Sequence, residues 1–220
     1  MRRRALRALS TVLIVAGALV LADAVATLVW QEPLTALYAE LQQDELEDQL
    51  AALEQTPPTP VERRVIARLP DPRRRLAFRA RALDRRTEPG DPVGRLHIPA
   101  IGLSAVIVEG TSSAQLRTGP GRYEDTSLPG QRGTVGIAGH RTTYGAPFRH
   151  VDELVRGDRV ELRMPYGRFT YRVERSRIVP PTRVDVVEPV AYDRLVLTAC
   201  HPLYSAAQRI VVFARLESAA

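Results

Sequence analysis

The first pattern along the chain is an unbroken apolar run. Leu9 to Trp30 carries a single charge, Asp23. As a helix rising about 1.5 Å per residue, it spans the roughly 30 Å hydrocarbon core of a bilayer. Leu34, Leu37, Leu41, Leu50 and Leu53 then recur near helical spacing behind Pro33, a residue suited to opening a helix. Thr56-Pro-Pro-Thr-Pro60 ends that predicted helix. Beyond the breaker cluster Glu88-Pro-Gly-Asp-Pro92 the texture changes. Short β-branched and aliphatic runs alternate with Gly/Pro turns, at Leu96–Ile98, Ala105–Val108, Thr134–Ala138, Arg159–Met164, Arg168–Val179, Arg194–Cys200 and Arg209–Leu216. Val160/Leu162/Met164 and Phe169/Tyr171/Val173 flank Pro165-Tyr-Gly167 and predict a hairpin. Phe148–Val155 is predicted as a short helical stretch closed by Gly157. Seven or eight short strands with little helix predict a mainly β domain, a closed barrel or a sandwich. No internal repeat is visible.

Charge orients the apolar run. Arg2, Arg3, Arg4 and Arg7 precede it, and no Arg follows until Arg63. The positive-inside rule then places the N-terminus in the cytoplasm and the rest outside, with Trp30 as an interfacial aromatic. A cleaved signal peptide competes, since Ala22-Asp-Ala24 resembles a cleavage site. The uncleaved anchor is preferred because apolar character resumes through Val25–Trp30, and both readings export the remainder. Residues 40–54 hold six acids and no base, and residues 61–86 hold ten Arg against three acids. The two stretches could pair as a helical hairpin; a solvated spacer is preferred. The expected organisation is a basic tail at 1–8, a membrane span at 9–30, a stalk at 31–92 and a β domain at 93–220.

Composition narrows the chemistry. The 220 residues are 45% hydrophobic and 25% charged, an ordinary globular balance. One cysteine excludes an intrachain disulfide and a Cys-rich zinc site. Every basic residue is Arg, for a net charge of +6. No histidine pair at metal spacing, P-loop or dinucleotide fingerprint occurs, so neither metal nor cofactor is expected. A nucleic-acid role for the Arg run does not fit an exported domain.

The remaining candidates are a thiol, an imidazole and a guanidinium. In a strand, Cys200 shares a face with Thr198 and Val196, while Leu195, Leu197 and Ala199 take the other. His201-Pro202 then turns the chain, and the next strand starts near Arg209. If the two pair antiparallel, Arg209 lies beside Cys200, where it favours a thiolate and offers forked donors to an oxyanion. The competing reading of Cys200 is a small buried hydrophobe, and that of Arg209 a solvated edge charge. His140 ends a strand of small residues in Gly133-Thr-Val-Gly-Ile-Ala-Gly-His140 and can supply the general acid/base a thiol nucleophile needs. His201 is the competitor, ranked second because it points to the face opposite Cys200. His97 reads as structural and His150 as surface or packing.

Leu197-Thr-Ala-Cys-His-Pro202 with Ser205-Ala-Ala-Gln-Arg209, and Ala138-Gly-His-Arg141 followed by Thr-Thr-Tyr-Gly-Ala-Pro-Phe148, resemble the nucleophile and histidine segments of sortases. They are most similar to the class E sortases of actinobacteria, over residues 93–217. Ala199 departs from the family's more usual Thr, at a position facing the core. The resemblance implies a closed sortase-type β-barrel of about eight strands. It implies a transpeptidase in which Cys200 attacks the Thr–Gly bond of an LPxTG-like or LAxTG-like signal. A thioester then passes the secreted protein to an amine of lipid II, peptidoglycan or a pilin. It assigns His140 as acid/base, Arg209 to the oxyanion, Thr198 as a substrate contact, and Tyr144 as a contact with the signal or as rim packing. Anchoring is preferred over pilin assembly, since residues 61–92 hold no Asp-Pro-Trp/Phe lid motif. The readings held against a sortase are another exported cysteine enzyme, such as an L,D-transpeptidase, and a non-catalytic binding module with an inert Cys200.

Overall fold

Strand pairing builds the molecule. The computed structural model describes residues 2–29 and 33–220. Eight strands, β1 (Pro92–Ile98), β2 (Leu103–Glu109), β3 (Gly121–Arg122), β4 (Thr134–Ala138), β5 (Arg159–Met164), β6 (Gly167–Val179), β7 (Arg194–His201) and β8 (Gln208–Ala219), close into a barrel. Around the barrel they run β1-β2-β3-β4-β7-β8-β6-β5. β2/β3 and β4/β7 are parallel and all other neighbours antiparallel. The β5–β6 hairpin turns through Pro165-Tyr166, with Met164 opposite Gly167.

Alternation sorts the side chains. Leu195, Leu197 and Ala199 of β7 join Ile210, Val212 and Ala214 of β8 in the barrel interior, with Leu96, Ile137, Leu162, Phe169 and Tyr171. Each such side chain contributes about 1.5–3 kcal/mol by leaving water. Val196, Val211 and Phe213 point outward, yet they are buried too, under Val186 and Val187 of the 3-10 turn Val184–Val187. β3 has no counterpart in the sequence reading, because two residues cannot display an alternation. Phe148–Val155 forms only a 3-10 turn at Val151–Glu153, since buried Phe148, Val151 and Leu154 recur every third residue, the repeat of a 3-10 turn.

Among the described residues, five α-helices accompany the barrel. α1 (Arg2–Val29) includes Leu6–Val25, a stretch long and apolar enough to cross a membrane, with a mean hydropathy of 2.2. Trp30 lies outside the described residues. α2 (Pro33–Gln55), α3 (Pro60–Arg68) and α4 (Pro72–Asp84) fill the segment expected to be a solvated spacer, and α5 (Ser113–Leu116) is a single turn. The spacer reading fails because α2 and α4 are packed. Leu46 and Leu50 of α2 lie on Val106 and Val108 of β2, with Leu53 beside them. Glu47 and Glu54 both pair with Arg95 of β1. Leu34, Leu37 and Leu41, from the same predicted series, are exposed instead. α4 buries Ala80 and Leu83 in the main core, and its Asp84 meets Arg122, which also pairs with buried Glu109 at 2.6 Å.

A packed α2 makes a stability prediction. Leu50 is 0% exposed, so Leu50→Ala is expected to destabilise the protein by about 2–5 kcal/mol in denaturant titration. A solvated stalk would leave the midpoint unchanged.

Candidate active site

Register brings the candidate groups together. β7 runs parallel to β4, with Ile137 opposite Leu197 and Ala138 opposite Thr198. The Gly139 N–H donates to the Thr198 carbonyl at 3.1 Å, carrying the contact one residue past β4. The next residue, His140, is thereby level with Cys200. On the other flank β8 is antiparallel, and Cys200 pairs directly with Arg209. An imidazole, a thiol and a guanidinium therefore sit at the same height on three neighbouring chain segments, at the rim of the outer face.

Each group is held differently. His140 follows Gly139, where a Cβ would meet the Phe148 ring at 2.7 Å, so only glycine lets the chain pass this close. The Phe148 N–H returns to the His140 carbonyl at 2.9 Å and closes the loop. Burial lowers the His140 pKa, and the Arg117 guanidinium lowers it further. Neutral imidazole is thus the resting form at neutral pH. Because the unfolded chain takes this proton first, folding stability falls as pH drops through the ordinary histidine value of 6.5. Cys200 is a free thiol, partly exposed. Arg209 spends one terminal nitrogen on the carbonyls of Ala206 and Gln208, both at 2.9 Å. Its other N–H groups meet no acceptor among the described residues, which leaves donors for an incoming oxygen.

Of the three, Arg209 also lines a groove of about 410 Å³ on the outer face of β7 and β8, together with Thr198, Val211, Tyr123, Val186 and Val187. Thr198 is buried and shares a hydrogen bond with the Tyr123 hydroxyl at 2.8 Å. Tyr144 lies in the loop after His140, its ring 5.3 Å from the imidazole. His97 is paired within β1 against Ser104 and Glu161, and His150 is an exposed partner of Glu153.

The residue that sequence reasoning passed over is Arg141. It was quoted in the histidine segment and given no role, yet it is only 2% exposed. Its guanidinium pairs with Asp152 at 2.6 Å and donates to the Arg149 carbonyl at 3.0 Å. It also donates to the Cys200 carbonyl at 3.4 Å and lies 3.2 Å from Nδ1 of His201. A guanidinium can only donate, so His201 Nδ1 accepts. His201 is occupied in bracing, on the strand face opposite Cys200, and His140 faces no such competitor. Tyr123 was passed over as well, since nothing in its local sequence marks it as Thr198's partner.

A closed barrel that brings a thiol, an imidazole and a guanidinium to one rim defines the class: a β-barrel domain with a cysteine–histidine–arginine cluster. The chain belongs to the sortase family, whose model, described as "Sortase domain", matches residues 96–217. It is 33% identical over 132 residues to Sortase D of Bacillus subtilis, covering 58% of this chain and 65% of that one. It is 31% identical over 147 residues to Sortase SrtE1 of Streptomyces coelicolor, covering 59% of this chain and 41% of that one. The matched part thus spans less than two thirds of either relative. Among solved structures, sortase E from Streptomyces avermitilis superposes with a TM-score of 0.56 at 34% identity, covering 60% of this chain and 92% of that one. A Clostridium perfringens Sortase D5 transpeptidase gives 0.58 at 26% identity, covering 64% and 88%.

The Arg141 contacts yield a prediction. Arg141→Met leaves buried carbonyls without donors, and is expected to cost on the order of 3 kcal/mol in thermal or denaturant unfolding. A loss below about 0.5 kcal/mol, the level of an ordinary surface change, would contradict this bracing role.

Proposed function

We propose that this chain is a membrane-anchored cysteine transpeptidase acting on an LPxTG-like or LAxTG-like sorting signal. It would cut between Thr and Gly and transfer the protein to an amine of lipid II or peptidoglycan. The observation that carries the reading is the register of β7, which aligns Cys200 with Arg209 on one side and His140 on the other. α1 serves as the anchor, with the N-terminus in the cytoplasm and the barrel outside. Anchoring raises the effective concentration of enzyme near membrane-held substrates.

The mechanism follows from the groups. The signal lies in the groove against Thr198, with Tyr144 at the His140 end. Resting neutral His140 accepts the Cys200 proton, giving thiolate and imidazolium. The thiolate attacks the Thr carbonyl carbon, and the free N–H groups of Arg209 stabilise the oxyanion. As the C–N bond breaks, imidazolium gives its proton to the departing glycine amine, and a thioester remains. The incoming amine attacks the thioester and loses its proton to His140. The C–S bond breaks, and proton return to sulfur restores the resting pair.

The test is mass spectrometry on the full-length chain in detergent, incubated with LAxTG and LPxTG peptides, without and then with an amine. Thr–Gly cleavage, an acyl adduct on Cys200 and transfer to the amine are the expected results. Cys200→Ala is expected to abolish them. His140→Ala is expected to lower kcat/KM by about 100-fold or more, and Arg209→Ala by about 100- to 1,000-fold. A reactive thiol with no adduct from either peptide would overturn the substrate assignment. A thiol unreactive toward small probes until unfolding would overturn the enzyme reading.

A further inference from the structure

The loop that carries His140 is strained where it meets α2. Tyr144, Gly145 and Ala146 have φ values of 53°, 69° and 43° in succession. Two of the three are not glycine, and such residues persist in this region only when their surroundings impose it. The surroundings come from the first turns of α2, more than a hundred residues away in sequence. The Tyr144 N–H donates to Oγ1 of Thr35 at 3.0 Å. Tyr38 meets the Tyr144 ring edge-on, with centroids 6.4 Å apart and planes at 73°. Ala39 is 5% exposed, and its methyl lies 3.5 Å from where a Cβ on Gly145 would stand. Tyr144 in turn lies against the His140 ring, tilted by 38°, while Arg117 caps Tyr144 at 5.6 Å from its centroid.

We propose that Thr35 and Tyr38 of α2 are positioning residues for His140, acting through Tyr144. The inference rests on the reading of His140 as the acid/base. The contacts form one physical chain, from helix to loop to imidazole. Thr35 fixes the backbone of the loop, and Tyr38 fixes the ring that limits how the imidazole can turn. Neither lines the groove, so each can touch the signal only through Tyr144. Their loss should therefore lower kcat more than it raises KM. The edge-on contact uses ring carbons, so phenylalanine in place of Tyr38 should serve equally.

The test compares the full-length wild type with Tyr38→Ala, Thr35→Val and Tyr38→Phe in detergent. Tyr38→Ala is expected to lower kcat about tenfold or more, with KM within about twofold of wild type. Its melting temperature should stay within about 5 °C of wild type. Thr35→Val should fall in the same direction, and Tyr38→Phe should match wild type. A Tyr38→Ala enzyme as fast as wild type, or faster because α2 had been obstructing the site, would overturn the proposal. A second readout needs no turnover: carbethoxylation of His140 by diethyl pyrocarbonate, followed by peptide mass mapping. His140 should react several-fold faster in Tyr38→Ala than in wild type or Tyr38→Phe, and equal rates would overturn the proposal. If wild type cleaves neither peptide, the functional reading fails on its own, and the carbethoxylation rates still decide whether α2 holds the His140 loop.

Discussion

The site depends on the register of β7 between its two neighbours. A slip of one residue against β8 would turn Arg209 inward and present Ile210 to the thiol. A slip against β4 would move His140 off the level of Cys200. Register is pinned where one face of a strand must be buried, and here both faces are. Leu195, Leu197 and Ala199 fill the barrel interior, while Val196 packs with Val179, Val211 and Phe213 outside it. Any slip would exchange two sets of side chains that fit only their own side. The barrel therefore fixes the relative height of three functional groups that lie far apart in the sequence.

The same double burial explains why the thiol, imidazole and guanidinium sit at the rim. The interior is filled, and the segment carrying the 3-10 turn Val184–Val187 shapes the outer face into a groove. Where β7 ends, the apolar cover ends as well, and polar groups take over. Arg141 is the clearest case. A buried guanidinium is tolerated only when its charge is paired and its donors are used. Asp152 supplies the charge, and the carbonyls of Arg149 and Cys200, with His201 Nδ1, supply acceptors. The contact ties the backbone of Cys200 to the loop that begins at His140, so the two segments are joined beyond the last strand hydrogen bond.

Much of this was legible in the sequence, for reasons that are local. Period-two alternation in Leu195–Cys200 identifies the face that bears Cys200, and the short interval to Arg209 leaves room for an antiparallel neighbour. Glycines before His140 marked a close backbone approach, which the ring of Phe148 now accounts for. The failures are equally physical. β3 is too short to have a pattern. Arg141 and Tyr123 act through partners beyond any strand or helix repeat, and neither carries a local mark of its contact. The leucines of α2 had a helical period, but period alone does not say which face is covered. Leu46 and Leu50 are covered, while Leu34, Leu37 and Leu41 are not.

The contact of α2 with the barrel has a cause in the sheet itself. β2 and β3 pair only at Val108 and Glu109, so the peptide group of Val106 faces an edge with no strand beside it. An unpaired backbone group at a covered edge is costly, and proteins cap such edges. Gln43 of α2 does so with its side-chain amide: its oxygen accepts from the Val106 N–H at 2.7 Å, and its nitrogen donates to the Val106 carbonyl at 3.2 Å and the Thr118 carbonyl at 2.7 Å. The amide stands in for the missing strand. Leu46 and Leu50 then cover Val106 and Val108, which would otherwise be an apolar patch on the outer face. The break at residues 88–92 is therefore a boundary of secondary structure and not of stability. The barrel's second strand is incomplete without the helix that follows the apolar span. That dependence places the first turns of α2 where Thr35 and Tyr38 can reach the loop beside His140.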